Sequence, residues 1–430
     1  MIRCYHKGSI PHDRAEWKRY AMAAKMSVED QVALLMQGAE YGDEQLKQAM
    51  QAELKQRLLE SEKTGQPLRV YCGYDPTSPD LHLGHTVTMR KLRQFQDLGH
   101  EVTFVIGSFT ALVGDPSDKD GARPRLSREK IAEFAETYTE QAFKILDPER
   151  TKVRFNDEWL SQVTLEQFID MASNFTVQQF LARDNFSKRY AAGHPIWVHE
   201  LFYALLQGYD ATVLETDVQL GATEQLFNLL AGRKLQEALG QRPQIAITLP
   251  VLVGTDGSLR MAKSTGNTIG ITDEPAEMYG KVMSLPDNVM GNYFRLVTRW
   301  TPKEVAALEA QLESGEKHPR DVKMALAREI VEIYHGERAA LEAEEAFRRV
   351  FQQGDVPDEM DEHRLKEGVT LLEVMMETGL AASRSAGRRL IEQRGVRLED
   401  EVLEDPNQTF DLKQPAVLRV GKRRFLRLLP

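Results

Sequence analysis

The sequence predicts an α/β protein: a doubly wound parallel sheet, then an all-helical stretch, then a small α+β module. Three observations predict it. Short strand-like runs at residues 68–73, 102–107, 152–155 and 243–250 alternate with longer helical patterns, as parallel strands joined by crossover helices require. From residue 274 to about 350 the pattern is helical, without strand signals. Polar loops follow the first, second and last strands, at the carboxyl edge where such sheets bind ligands.

Taken in order, residues 26–66 carry helical patterning with mixed charge, and 1–66 form a helical extension. The first residues lack the apolar core of a secretory signal, and Met22 or Met26 are alternative starts. The sheet domain spans 67–272. Its first strand ends at Gly73, Pro76 and Pro79 stiffen the next loop, and Val87, Leu92 and Phe95 recur at helical spacing up to Gly99. After the second strand come a loop at 109–116 and a charged stretch at 117–125; a helix starting at Ser127 leads to the third strand. Helices are expected at 165–181 and 199–209, a strand-like segment at 211–221, a helix at 223–239 and the last strand at 243–250. Residues 254–267 then read as a mobile cationic loop with glycines near both ends. A helical domain at 273–350, an acidic linker at 351–364 and the α+β module at 365–430 complete the chain.

A chain of 430 residues exceeds one core, so two or three domains are expected. Its 42% hydrophobic and 28% charged residues fit a soluble globular protein, and no apolar run is long enough to span a bilayer. With only Cys4 and Cys72, a disulfide framework or a cysteine zinc site is excluded, no metal-ligating residue is expected, and the expected compartment is the cytoplasm. Net charge is −10. Any nucleic-acid partner must therefore be held by local basic patches.

Chemistry concentrates where the first strand ends. His82, Gly84 and His85 stand at a helix start, where free N–H groups and the dipole attract an anion. Gly84 has no Cβ, so a flat ligand can lie against the backbone. The stretch reads as a nucleoside polyphosphate site; taken alone, two histidines at a helix start also fit a cap and a surface group.

His82-Leu83-Gly84-His85 after the first strand and Arg260-Met261-Ala262-Lys263-Ser264 after the last resemble the "HIGH" and "KMSKS" signatures of class I aminoacyl-tRNA synthetases. Between them, Tyr71-Cys72-Gly73-Tyr74-Asp75-Pro76-Thr77, Gly114-Asp115-Pro116, the block from Tyr203 through Gln207 to Asp210, and Gly221-Ala222-Thr223-Glu224-Gln225 narrow the resemblance to bacterial tyrosyl-tRNA synthetases. The resemblance covers most of the chain from about Leu68 onward. It implies a Rossmann-like catalytic domain, tyrosine activation by ATP with Mg²⁺ assisting, and transfer to tyrosine tRNA. By the same resemblance, Thr77, His82, His85, Arg260 and Lys263 are catalytic, and Cys72, Gly73, Asp75, Gly84, Glu224, Lys263 and Ser264 contact ATP. Tyr71 and Asp210 are expected at the substrate phenol, and Asp115, Tyr203 and Gln207 at its ammonium, with Thr110 and Gln225 beside them. The module at the end resembles a ribosomal-protein-like RNA-binding domain, through Arg384, Arg388, Arg389, Lys422, Arg423 and Arg424. A homodimer without membrane attachment is implied as well.

The pattern departs in places: Arg260 stands for the usual lysine, Ala262 for serine, Thr265 for leucine and Ala222 for glycine. Two rival readings follow. His-x-Gly-His also belongs to small adenylyltransferases and tryptophanyl synthetases, against which Tyr71, Asp210 and the RNA module argue. The altered phosphate loop fits a catalytically inactive RNA-binding paralogue. Removing the residues after about Leu365 is expected to spare amino-acid activation and abolish tRNA charging; normal charging by that truncation would refute the RNA assignment.

Overall fold

Five parallel strands form the floor of the site. The computed structural model describes residues 26–117, 127–349, 360–366, 368–381, 383–399, 401–410, 412–421 and 424–430. By internal contacts the chain divides into two units, Met1–Gly336 and Glu337–Pro430.

The first unit opens with α1 (Val28–Leu35) and α2 (Glu44–Thr64), started by the side-chain caps of Ser27 and Asp43. The sheet follows as β1 (Arg69–Tyr74), α3 (Leu83–Asp97), β2 (Glu101–Ile106), α4 (Thr110–Val113), α5 (Arg128–Ala142) and β3 (Thr151–Phe155). Four short helices come next: α6 (Asp157–Leu160), α7 (Leu165–Ala172), α8 (Val177–Leu181) and α9 (Asp184–Ala191). Then α10 (Val198–Val213), β4 (Val218–Ala222), α11 (Leu226–Ala238) and β5 (Ile245–Leu249) finish the sheet, in the order β3-β2-β1-β4-β5. Every residue of β5 is buried, Thr248 included, which accounts for its mostly apolar sequence. The outer edge of β5 is covered by the extension: the Glu40 N–H donates to the Thr248 carbonyl (2.8 Å) and the Tyr41 hydroxyl to that of Ala246 (2.6 Å). That removes an open strand edge.

Part of the stretch 211–221, expected as a strand, is helix. α10 runs through Val213, the chain turns at Glu215 with φ 45°, and only Val218–Ala222 is extended. Ala211 packs with Tyr71 and Val105 on the buried face of α10, so one apolar run serves a helix and then a strand. Likewise, the loop after β2 contains the single turn α4.

Helices α12 (Pro275–Met283), α13 (Met290–Val297), α14 (Pro302–Glu313) and α15 (Pro319–His335) complete this unit. Arg299 binds Glu329 (2.7 Å) and Glu332 (2.6 Å) within this layer, and the Tyr334 hydroxyl donates to Thr86 on α3 (3.1 Å).

The second unit holds α16 (Glu337–Arg348), β6 (Glu362–Arg364), α17 (Leu371–Glu377), α18 (Arg384–Glu392), β7 (Val396–Leu398), β8 (Glu401–Val402), β9 (Ala416–Val420) and β10 (Arg424–Leu429). Its sheet runs β6-β10-β9-β7-β8 over a core that includes Leu371, Val374, Ile391, Leu418 and Leu428. Residues 362–364, read from their charge as linker, pair in parallel with β10, and Glu362 meets Arg427 at 3.1 Å. Arg384, Arg388 and Arg389 are exposed on α18. Arg424 is exposed at the start of β10 and donates to the Leu380 carbonyl. Lys422 and Arg423 lie outside the described residues.

Candidate active site

β1 pairs with β2 along six positions but with β4 only at Val70↔Val218 and Tyr71↔Gln219. Beyond Tyr71 the two central strands part, at the point where strand order reverses. A cavity of about 520 Å³ opens there. Its wall includes Cys72, Gly73 and Asp75 from β1, Thr110 and Asp115 after β2, Glu224 and Gln225 after β4, and Arg260, Lys263 and Ser264 after β5. Thr77, His82, Gly84, His85, Tyr203, Gln207 and Asp210 line it as well.

One end is built on the start of α3. The Gly84 N–H donates to His82 Nδ1 (3.2 Å), and the His82 N–H donates to His85 Nδ1 (3.2 Å). An Nδ1 that accepts leaves the proton on Nε2, so both rings carry an Nε2–H donor. Burial lowers the His82 pKa to about 3, helped by His85 and Lys263; burial, with Lys263 near, lowers that of His85 to about 4. Both imidazoles are therefore neutral donors at physiological pH. Gly84 has a reason other than ligand access: a Cβ there would meet the His82 ring at 2.9 Å. At Gly73 a Cβ would meet nothing within 4 Å.

The phosphate loop is a hairpin. Met261 N–H donates to Leu252 O and Gly254 N–H to Leu259 O, each at 2.8 Å. Buried Asn267 holds its centre, donating to Arg260 O (3.0 Å) and to the Asp256 carboxylate while accepting from Ala262 N–H (2.9 Å) and the Thr265 hydroxyl (2.6 Å). The N–H of Leu259, the Asn267 amide and Ser258 hold the Asp256 carboxyl well below the usual carboxylate range. Thr265, the departure from leucine, thus supplies a hydrogen bond to this scaffold. The chain leaving the loop pairs with the first motif: Leu83 N–H donates to Ile269 O (2.9 Å), and His82 bridges Gly270. Lys263 Nζ meets Asp80 at 3.1 Å.

The other end is lined by acceptors. Asp210, buried in the last turn of α10, accepts from Trp159 Nε1 (2.7 Å) and Asn156 Nδ2 (3.3 Å). Burial outweighs those bonds and pushes its carboxyl up to about 8. Tyr71 lies in the packed core behind the wall, its hydroxyl donating to the Gln207 carbonyl (3.3 Å); burial, then Asp210, pushes that hydroxyl well above its usual range. The Gln207 side-chain oxygen has no partner among the described residues. Asp75 accepts from Thr110 (2.7 Å) and the Tyr203 hydroxyl (2.9 Å). Asp115 accepts from Gln225 and from the Ser117 N–H (3.0 Å). Cys72 is buried and its thiol is pushed up to about 11, so it is no nucleophile at neutral pH.

Of the residues expected at tyrosine or ATP, only Tyr71 is off the cavity wall. Asn156 and Tyr138 also line it, and Trp159 stands behind Asp210; sequence reasoning missed all three. For Asn156 a signal existed: it follows β3 directly, at the carboxyl edge.

The profile of the family described as tRNA synthetases class I (W and Y) matches residues 62–352. The chain belongs to this family of class I tRNA synthetases. Its relatives place it on the tyrosine branch: it is 51% identical over 377 residues to the tyrosine--tRNA ligase of Moorella thermoacetica, covering 87% of this chain and 91% of that protein. Similarity to the tyrosine--tRNA ligase of Haemophilus influenzae is 49% over 371 residues, 86% of this chain and 92% of that protein. In fold it resembles the tyrosyl-tRNA synthetase of Archaeoglobus fulgidus complexed with L-tyrosine, with a TM-score of 0.57 at 24% identity over 74% of this chain and all of that one.

The Asp210 carboxyl generates a stability test. Its pKa is near 8 in the fold and about 4 in an unfolded chain. Between these values the folded state binds the extra proton, so this contribution is full below pH 4 and is lost as pH rises toward 8. Asp210→Asn removes the titration. In thermal melts without tyrosine, the melting temperature of the variant minus that of the wild type should grow by several degrees from pH 5 to 8; a constant difference would refute the raised pKa.

Proposed function

We propose that this chain activates tyrosine with ATP to tyrosyl-adenylate and pyrophosphate, then transfers tyrosine to the 3′ end of tyrosine tRNA. One observation carries the reading: a single cavity joins a buried acceptor end at Asp210 to a donor-and-cation end at His82, His85, Arg260 and Lys263. Tyrosine--tRNA ligases at up to 51% identity among the relatives described support it.

In the first step an oxygen of the substrate carboxylate attacks the α-phosphorus. The bond to the bridging oxygen breaks and pyrophosphate leaves with the electron pair. No protein nucleophile is needed; what the protein supplies is alignment and stabilisation of the leaving charge. Two neutral Nε2–H groups, Thr77, Arg260 and Lys263 are assigned to that charge. Cys72, Gly73, Gly84, Glu224 and Ser264 are assigned to the rest of the nucleotide, with Glu224 accepting from the ribose hydroxyls. Asp210 takes the phenol, and Tyr71 is assigned beside it through a turn of its hydroxyl away from Gln207. Asp115, Tyr203 and Gln207 take the ammonium, with Asp75, Thr110 and Gln225 around them.

Mg²⁺ accompanies ATP in this reading. Among the described residues no cluster of three or more His, Cys, Asp or Glu side chains is arranged to hold a metal, and no step here is routed through the ion. The exposed arginines of α18, with Arg424, are assigned to tRNA phosphates. No described helix is long and apolar enough to cross a membrane.

A homodimer is proposed from exposed large apolar side chains. Leu165 is 75% exposed, Ile169 58%, Val177 60% and Val198 67%, and a second copy covering them would remove apolar surface from water. Ile169→Asp should yield monomers by light scattering; an unchanged mass would exclude Ile169 from the contact.

Pyrophosphate exchange with tyrosine, and none with tryptophan, tests the assignment. Lys263→Ala should slow adenylate formation by about 10²–10³-fold while leaving tyrosine binding unchanged. An equal loss in both would remove the transition-state role.

A further inference from the structure

Behind the ammonium end lies a buried cation with no carboxylate in contact among the described residues. Arg183 precedes α9, is 7% exposed, and forms no ion pair among the described residues. Its guanidinium lies over the rings of Phe227 (4.7 Å) and Phe186 (5.3 Å). Nη2 donates to the Ser117 hydroxyl at 2.8 Å, and Nη1 is buried without a hydrogen-bond partner among the described residues. An isolated buried charge with an unfilled donor is costly, and a hydrophobic side chain of similar volume would serve the core better. Packing therefore does not account for it.

What it grips does. Ser117 turns its own N–H onto Asp115 Oδ1, while Gln225 binds the other carboxylate oxygen. Asn185, two residues after Arg183, donates to the Pro116 carbonyl at 2.8 Å. The start of α9 thus holds the turn 115–117 by two side chains. Of the nearby charges, that of Asp115 acts most strongly on the guanidinium.

We propose that Arg183 is a positioning residue for the ammonium subsite, fixing the Asp115 carboxylate through Ser117 without touching substrate. The proposal rests on the reading of Asp115 as the ammonium acceptor. Its consequence is selective: what Arg183 orients matters only to ligands that carry an ammonium group.

The test compares three ligands on the full-length protein: tyrosine, tyramine and 3-(4-hydroxyphenyl)propanoate, which lacks the amine. Arg183→Met is expected to weaken tyrosine and tyramine about tenfold, the worth of one charged hydrogen bond, and to leave the desamino acid and the KM for ATP unchanged. Arg183→Lys should restore part of the loss. Ser117→Ala, a milder change should Arg183→Met fail to fold, is expected to show the same selectivity, and combining it with Arg183→Met should add little. Equal weakening of all three ligands, or of none, by either variant overturns the proposal. Asp115→Asn separates the two levels: if it does not discriminate by the amine, the reading of Asp115 fails, whereas if it does and Ser117→Ala does not, only the role of Arg183 fails.

Discussion

The short ladder between β1 and β4 is the constraint on which the site depends. Two register pairs hold the sheet together at its centre, and release beyond them creates the space into which five loops project. A longer ladder would close the cavity from below. Cys72, Gly73, Asp75, His82, His85, Thr110, Glu224 and Gln225 owe their positions to a strand that stops, or a helix that starts, within a few residues of them. The bridge from His82 to Gly270 then fastens the first motif to the segment leaving the phosphate loop, so residues almost two hundred positions apart share one short stretch of backbone pairing.

Charge is distributed along the cavity by burial more than by composition. The chain carries a net −10, yet the end assigned to polyphosphate presents neutral imidazoles and cations. The histidines are kept uncharged by desolvation and by Lys263, and donors already aimed need no reorganisation when charge arrives. At the opposite end burial holds a proton on the Asp210 carboxyl against two hydrogen bonds that favour its loss. In the proposed reading an incoming phenol meets a carboxyl whose proton is held by burial, which ties the proton inventory of the pocket to its occupancy.

Much of this was legible in the sequence, for identifiable reasons. Strands β2, β4 and β5 are largely buried and mostly apolar, which makes them visible in the sequence although β3 is largely exposed, and the two signature loops carry chemistry in consecutive residues. The limit of α10 was not legible, because apolar residues 211–214 suit either a helix face or a strand. Nor were Asn156 and Trp159, which approach Asp210 from beyond β3 and belong to no contiguous motif. Arg183 was hidden for a similar reason: its partner Ser117 is distant in the chain, and the resemblance assigned it no role. At Gly84 the sequence suggested close approach of a flat ligand; the fold adds a second reason for glycine, because a Cβ there would meet the ring of His82.

The covering of β5 by Glu40 and Tyr41 bears on how the chain matures. The Tyr41 hydroxyl finds its acceptor 205 residues further along, so during synthesis the N-terminal extension must wait for most of the first unit to emerge before it can dock. Contacts of such sequence separation form slowly, and until they form, a mostly apolar strand edge is open to intermolecular pairing. Aggregation risk is therefore greatest late in translation, after β5 has appeared and before the extension returns to it.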